Sequence, residues 1–72
     1  MKTFGMWFKH ESEAKKVVAH DPSGLYPDLL VRVSFARADA TAIVDAVKRG
    51  KYKIVPSTHP QGGEGFDLVI FY

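Results

Sequence analysis

Leu29-Leu-Val-Arg-Val-Ser-Phe-Ala36 is the stretch on which the assembly of this chain turns. Read with a period of two, it puts Leu29, Val31, Val33 and Phe35 on one side and Arg32 and Ser34 on the other. That alternation is the pattern of a half-buried β-strand. A strand here stands between two helical patterns, so strands and helices alternate along the chain.

Working outward, Pro22-Ser-Gly-Leu-Tyr-Pro-Asp28 is a loop by composition. Before it, residues 11–20 carry Ala14, Val17 and Val18 three and four apart, with Lys15 and Lys16 pointing away, which predicts an amphipathic helix. Glu11 and Glu13 suit the positive end of its dipole. Asp21-Pro22 ends it, because proline disfavours the helical conformation in the residue before it. Residues 2–9 alternate again, with Phe4, Met6 and Phe8 on one face and Thr3, Gly5, Trp7 and Lys9 on the other, so this is a first strand.

After residue 36 the spacing returns to a helix. Asp39 is placed as N-cap, Ile43 and Val47 lie four apart beside Ala40 and Ala46, Lys48 and Arg49 sit at the negative end, and Gly50 follows as the stop. Tyr52, Ile54 and Val55 form a third strand that Pro56 ends or places at an edge. Residues 57–65 read as a mobile hairpin connection. Phe66-Asp-Leu-Val-Ile-Phe-Tyr72, apolar on both faces, reads as an interior strand that forms an antiparallel hairpin with the third.

The resulting order is β-α-β-α-β-β. It predicts a single α/β (α+β) domain over residues 1–72, a two-layer sandwich with a four-stranded mixed sheet and two helices on one face. The second helix forms a right-handed crossover between parallel strands. Both chain ends are expected within the one sheet.

A domain of 72 residues buries only roughly 60% of its unfolded surface, so its stability needs support. Cysteine is absent, which removes disulfides and thiolate metal sites and leaves association with a second copy as the expected support. No apolar run approaches the ~18 residues of a membrane span, and the N-terminal stretch does not read as a signal peptide. The expectation is a cytoplasmic protein with no membrane partner. Ten basic and eight acidic side chains give a net charge of +2, too mild an excess to point to nucleic acid.

With two helices on one face, the other face of the sheet is left with Trp7, Lys9, Arg32, Lys51 and Lys53. Placing Asp67 outward in the last strand puts Val69 and Phe71 there as well. The basic cluster Lys48-Arg-Gly-Lys-Tyr-Lys53 adjoins it and offers a contact to phosphate or to an acidic partner. Aromatic and arginine side chains are the usual anchors of protein interfaces, so the face reads as a partner-binding or dimer surface. The rival reading is a single-stranded RNA or DNA platform, with bases stacked on the rings and phosphates neutralised by Lys and Arg. The element order and the lack of a Gly-Phe-x-Phe run argue against an RNA-recognition motif.

Chemistry finds less support. His10 and His20 bracket the first helix about 15 Å apart, too far to share an ion whose ligands lie ~2 Å from it. No metal or cofactor is expected, and His20 and His59 are read as loop hydrogen-bonding groups. The loop Ser57-Thr-His-Pro-Gln-Gly-Gly-Glu-Gly65 joins two strands and lacks the Lys-Ser/Thr ending of a phosphate loop. His59 and Glu64 would be its acid–base pair in a small hydrolase or ligand-binding dimer. Loops of this kind more often carry binding contacts, here His59, Gln61 and Glu64. There is no cysteine nucleophile and no Gly-x-Ser-x-Gly elbow.

These observations favour a non-enzymatic module that binds a protein and forms a homodimer. Trp7, Lys9, Arg32, Lys48, Arg49, Lys51, Lys53 and Phe71 are its expected contacts. By analogy of size alone, such modules include inhibitors and adaptors of phages and mobile elements.

Overall fold

The structure, a computed structural model, describes residues 1–72 and the side chains of all of them except Arg37. It is an α+β domain. Strand β1 (Thr3–Phe8) is followed by helices α1 (Glu11–Val17) and α2 (Pro27–Val33), a 3-10 segment (Ser34–Asp39) and helix α3 (Ala40–Lys48). Strands β2 (Tyr52–Thr58) and β3 (Glu64–Phe71) close the chain. The sheet has three strands in the order β1-β3-β2, antiparallel throughout.

The expected four-stranded mixed sheet is therefore corrected at one place. Residues 29–36 form no strand: α2 runs through them and the 3-10 segment follows. Pro27 supplies a preset helical φ at the first position, where its missing N–H costs nothing. Asp28 sits in the first turn and its Oδ1 accepts from Arg32 Nε at 2.7 Å, one turn on. Leu29 and Val33, four apart, are fully buried, while Val31 is 74% exposed. Val31 thus does not face the core, and Arg32 does not lie on the sheet. Without that strand there is no parallel pair for a crossover to join. β1 and β2 run in the same direction, and β3 lies antiparallel between them.

The other elements follow their local signals more closely. α1 ends at Val17, three residues before the expected stop, because the chain beyond it is organised by Asp21. Asp21 Oδ1 accepts from the Ser23 N–H (3.0 Å), the Ser23 hydroxyl (2.6 Å) and the Leu25 N–H (3.0 Å). The α3 stop is as expected. Gly50 has φ +74°, its N–H donates to Val47 O, and the Lys51 N–H donates to Ala46 O, the paired bonds of a Schellman cap. Asp39 occupies the N-cap position but makes no capping bond. Its carboxylate is taken by the Tyr72 hydroxyl at 3.0 Å and faces Lys2 Nζ at 3.7 Å.

β2 and β3 run further towards each other than the sequence suggests. The connection is a tight turn: the Gly62 N–H donates to His59 O and the His59 N–H to Gly63 O, with Gly62 and Gly63 both at positive φ. This is a three-residue hairpin loop, residues 60–62, with proline at its first position. β3 is the central strand, as its two apolar faces require. Lys2 and Tyr72 exchange both backbone hydrogen bonds, so the two ends of the described chain are paired.

All the helices pack on one face. Phe8, Leu68 and Ile70 of the sheet meet Ala14, Val17, Leu29, Val33, Ile43, Ala46 and Val47 in the buried core, with Phe4, Met6, Tyr52 and Ile54 packed against it. Among the described residues no helix is long and apolar enough to cross a membrane.

Candidate functional site

The opposite face of the sheet has no helix over it. Strand parity and register put there Thr3, Gly5 and Trp7 of β1, Gly65, Asp67, Val69 and Phe71 of β3, and Lys53, Val55 and Ser57 of β2. Val55, Asp67, Val69 and Phe71 are half-buried, Lys53 is exposed, and the rows run Lys53–Val69–Gly5 and Val55–Asp67–Trp7.

Trp7 lies across this face. From β1 its indole crosses Gly65 in the central strand and donates Nε1–H to Ser57 O of β2 at 3.3 Å. The ring of His59, at the hairpin turn, meets it edge-on with centroids 4.8 Å apart. His59 Nδ1 accepts the Gln61 N–H at 3.1 Å, which assigns the remaining ring proton to Nε2. Around these groups is a shallow hollow of about 360 Å³ bounded by Gly5, Trp7, His59, Pro60 and Asp67. At the other end of the face, Lys53 Nζ stands 5.6 Å from the centre of the Phe71 ring.

Of the residues singled out in the sequence, the fold brings together Trp7, Lys53 and Phe71 on this face, with Lys51 at its rim and Lys9 exposed just past β1. Val55 was missed, although its period-two relation to Lys53 is the signal that places it.

The other basic residues are scattered. Arg32 lies on α2 with its guanidinium 4.9 Å from the centre of Phe8, on the helix side. Lys48 borders a groove between α2 and α3 with Leu30 and Val44. Arg49 is held by Asp45 at 2.8 Å. Of the patch expected from residues 48–53, Arg49 and Lys51 border one hollow with Phe71 and Tyr72, Lys53 stands on the open face, and Lys48 borders the helix groove.

His59 and Glu64 are not brought together. His59 joins Trp7 on the open face, whereas Glu64 opposes Thr58 in the register of Phe66 and Leu68, on the helix side. His20 donates from Nδ1 to Asp21 O at 3.0 Å and packs edge-on against Tyr26, far along the chain from either. Among the described residues no three His, Asp or Glu side chains are grouped to hold a metal ion.

Compared with known proteins, the chain matches no family model, no curated protein and no solved structure.

Proposed function

We propose that this chain is a small non-enzymatic interaction module whose uncovered sheet face binds a protein partner. The observation behind this reading is the composition of that face. Trp7, Val55, Val69 and Phe71 form an apolar strip with Lys53 beside it and Asp67 at its middle. Water-facing sheet surfaces are normally polar at alternate positions, and apolar strips with a polar rim mark interaction sites.

The charges favour protein over nucleic acid. Asp67 has no salt-bridge or hydrogen-bond partner among the described residues and would repel a phosphate chain drawn along the face. With Arg32 on the helix side and Arg49 paired with Asp45, Lys53 and the rim residues Lys9 and Lys51 are the cations left to it. A partner of fitting chemistry presents an apolar centre, a carboxylate for Lys53 and a hydrogen-bond donor for Asp67.

The test is a photo-crosslinking residue placed at position 69, in the middle of the face, and separately at exposed Val31, in the cells that make the protein. A discrete protein adduct at 69 that is lost with Phe71→Lys supports the reading. Adducts confined to 31 would move the surface to the helix side. Binding of a labelled mixed-sequence single strand that collapses with added salt would put nucleic acid first.

A further inference from the structure

The free edge of β1 carries a second surface, and it stands apart from the reading of the sheet face. Lys2 and Tyr72 exchange backbone hydrogen bonds, and the β1–β3 register is unbroken from Thr3↔Phe71 to Phe8↔Phe66. In an antiparallel ladder alternate residues bond to the neighbour. Phe4, Met6 and Phe8 therefore spend their N–H and C=O groups on β3, and those of Thr3, Gly5 and Trp7 point outward along the open edge.

The two edges of the sheet differ. On β2, Lys51 accepts from Phe71 and His59 donates to Gly63, so the even-numbered residues point outward, Pro56 among them. Proline there loses no ladder bond and leaves the edge without a donor at its middle, with Lys53 on the strand and Lys51 just before it. β1 has none of this protection. Between Lys2 and Lys9 it holds no charge and no proline.

Gly5 sharpens the contrast. A glycine inside a strand weakens it by roughly 0.5–1 kcal/mol relative to alanine, and Gly5 has neither a positive φ nor any atom within 4 Å of where a Cβ would stand. Nothing within one chain calls for it. Glycine in a strand also marks close approach of another backbone.

We propose that β1 pairs with β1 of a second copy, antiparallel about a two-fold axis at Gly5, so that two three-stranded sheets become one continuous six-stranded sheet. In that register Gly5 faces Gly5, Thr3 faces Trp7, and Phe4 lies beside Met6 of the second copy. No like charges are opposed. Phe35, whose ring packs on Phe4 at 5.9 Å while 73% of the residue stays exposed, gains the second copy's Met6 as a neighbour. Because the β2 edge is blunted, the contact closes on itself as a pair and does not propagate. The uncovered face remains free on both copies.

The experiment is molar mass by light scattering over a dilution series, with backbone amide exchange followed by NMR on the same samples. The expected mass is twice 8.0 kDa, with the amides of Thr3, Gly5 and Trp7 protected at high concentration and exposed on dilution. Gly5→Pro, whose lost N–H points away from β3, is expected to halve the mass, and Val69→Lys to leave it unchanged. A monomer at every concentration overturns the proposal. So does a dimer whose Thr3, Gly5 and Trp7 amides exchange freely, or one dispersed by Val69→Lys. The amide readout decides even where Gly5→Pro fails to fold.

Discussion

The indole of Trp7 rests on Gly65, and the place a Cβ would take at Gly65 is already filled by the Trp7 ring and by Phe8 O. This pairing shapes the open face. An aromatic side chain on the edge strand lies flat across a bare position in the central strand and reaches the backbone of the third. Trp7 therefore belongs to the structure of the face as well as to its contact surface.

Gly65→Ala is expected to destabilise the fold by about 1–3 kcal/mol, the usual cost of inserting a carbon where packing is complete. A shift of the ring alone cannot relieve it, since a backbone oxygen crowds the same point. Urea unfolding measures the loss. The emission of Trp7, the one tryptophan, should move to the red as the ring lifts from the sheet. An unchanged midpoint and spectrum would mean that the ring does not lie where it is described.

Substitutions on α2 separate helix from strand. Val33 is fully buried and Val31 is 74% exposed, although a strand would place both on the core face. Val31→Asp should change stability by no more than about 0.5 kcal/mol. Val33→Asp buries an unpaired carboxylate, at a cost comparable with the ~4–11 kcal/mol available to a domain of this length, and should leave the chain unfolded. Circular dichroism of the two variants checks this; equal damage from both would restore the strand.

The misreading of this segment has a physical cause. A run alternating at Leu29, Val31, Val33 and Phe35 also contains the i,i+4 pairs 29/33 and 31/35, so over eight residues the two periods share their apolar positions. The arbiters were Pro27, at the first helical position just before the run, and the Asp28–Arg32 pair that straddles its start. At the end of α3 and in the central strand local chemistry was sufficient. Gly50 marked the end of α3, and the doubly apolar Phe66–Phe71 run marked the central strand. The face was legible from parity on β1, β2 and β3, and Arg32 was misplaced because it was carried by the segment whose period was ambiguous. Register was beyond the sequence: nothing in the spacing tells Trp7 that Gly65 lies beneath it.

The loop after α1 should respond to acid. The Ser23 hydroxyl, and after it the Leu25 N–H, hold the Asp21 carboxyl below its ordinary range. A folded-state pKa lowered below the unfolded one adds stability that is present above the unfolded value of about 3.9. It is lost as pH falls through the folded value. Asp21→Asn keeps an acceptor and removes the charge, so its melting temperature should trail that of the parent at neutral pH, with the gap closing towards strong acid. A gap independent of pH would mean that ionisation of Asp21 contributes nothing.

The alkaline limb should belong to Tyr72. Its hydroxyl is pushed above its ordinary range first by burial, then by its hydrogen bond to Asp39 and the negative charge there. The folded state therefore holds the phenolic proton more tightly than the unfolded chain. Stability from this bond is fully present below the unfolded value of about 10 and declines as pH rises through the higher folded one. Asp39 opens α3, and Tyr72 is paired with Lys2 on β1, so ionising the phenol sets two negative charges against each other where strand and helix layer meet. Tyr72→Phe should lower the melting temperature at neutral pH and flatten its fall in alkali. If the variant declines above pH ~10 as steeply as the parent, another group governs that limb and the Tyr72–Asp39 bond does not hold the layers together.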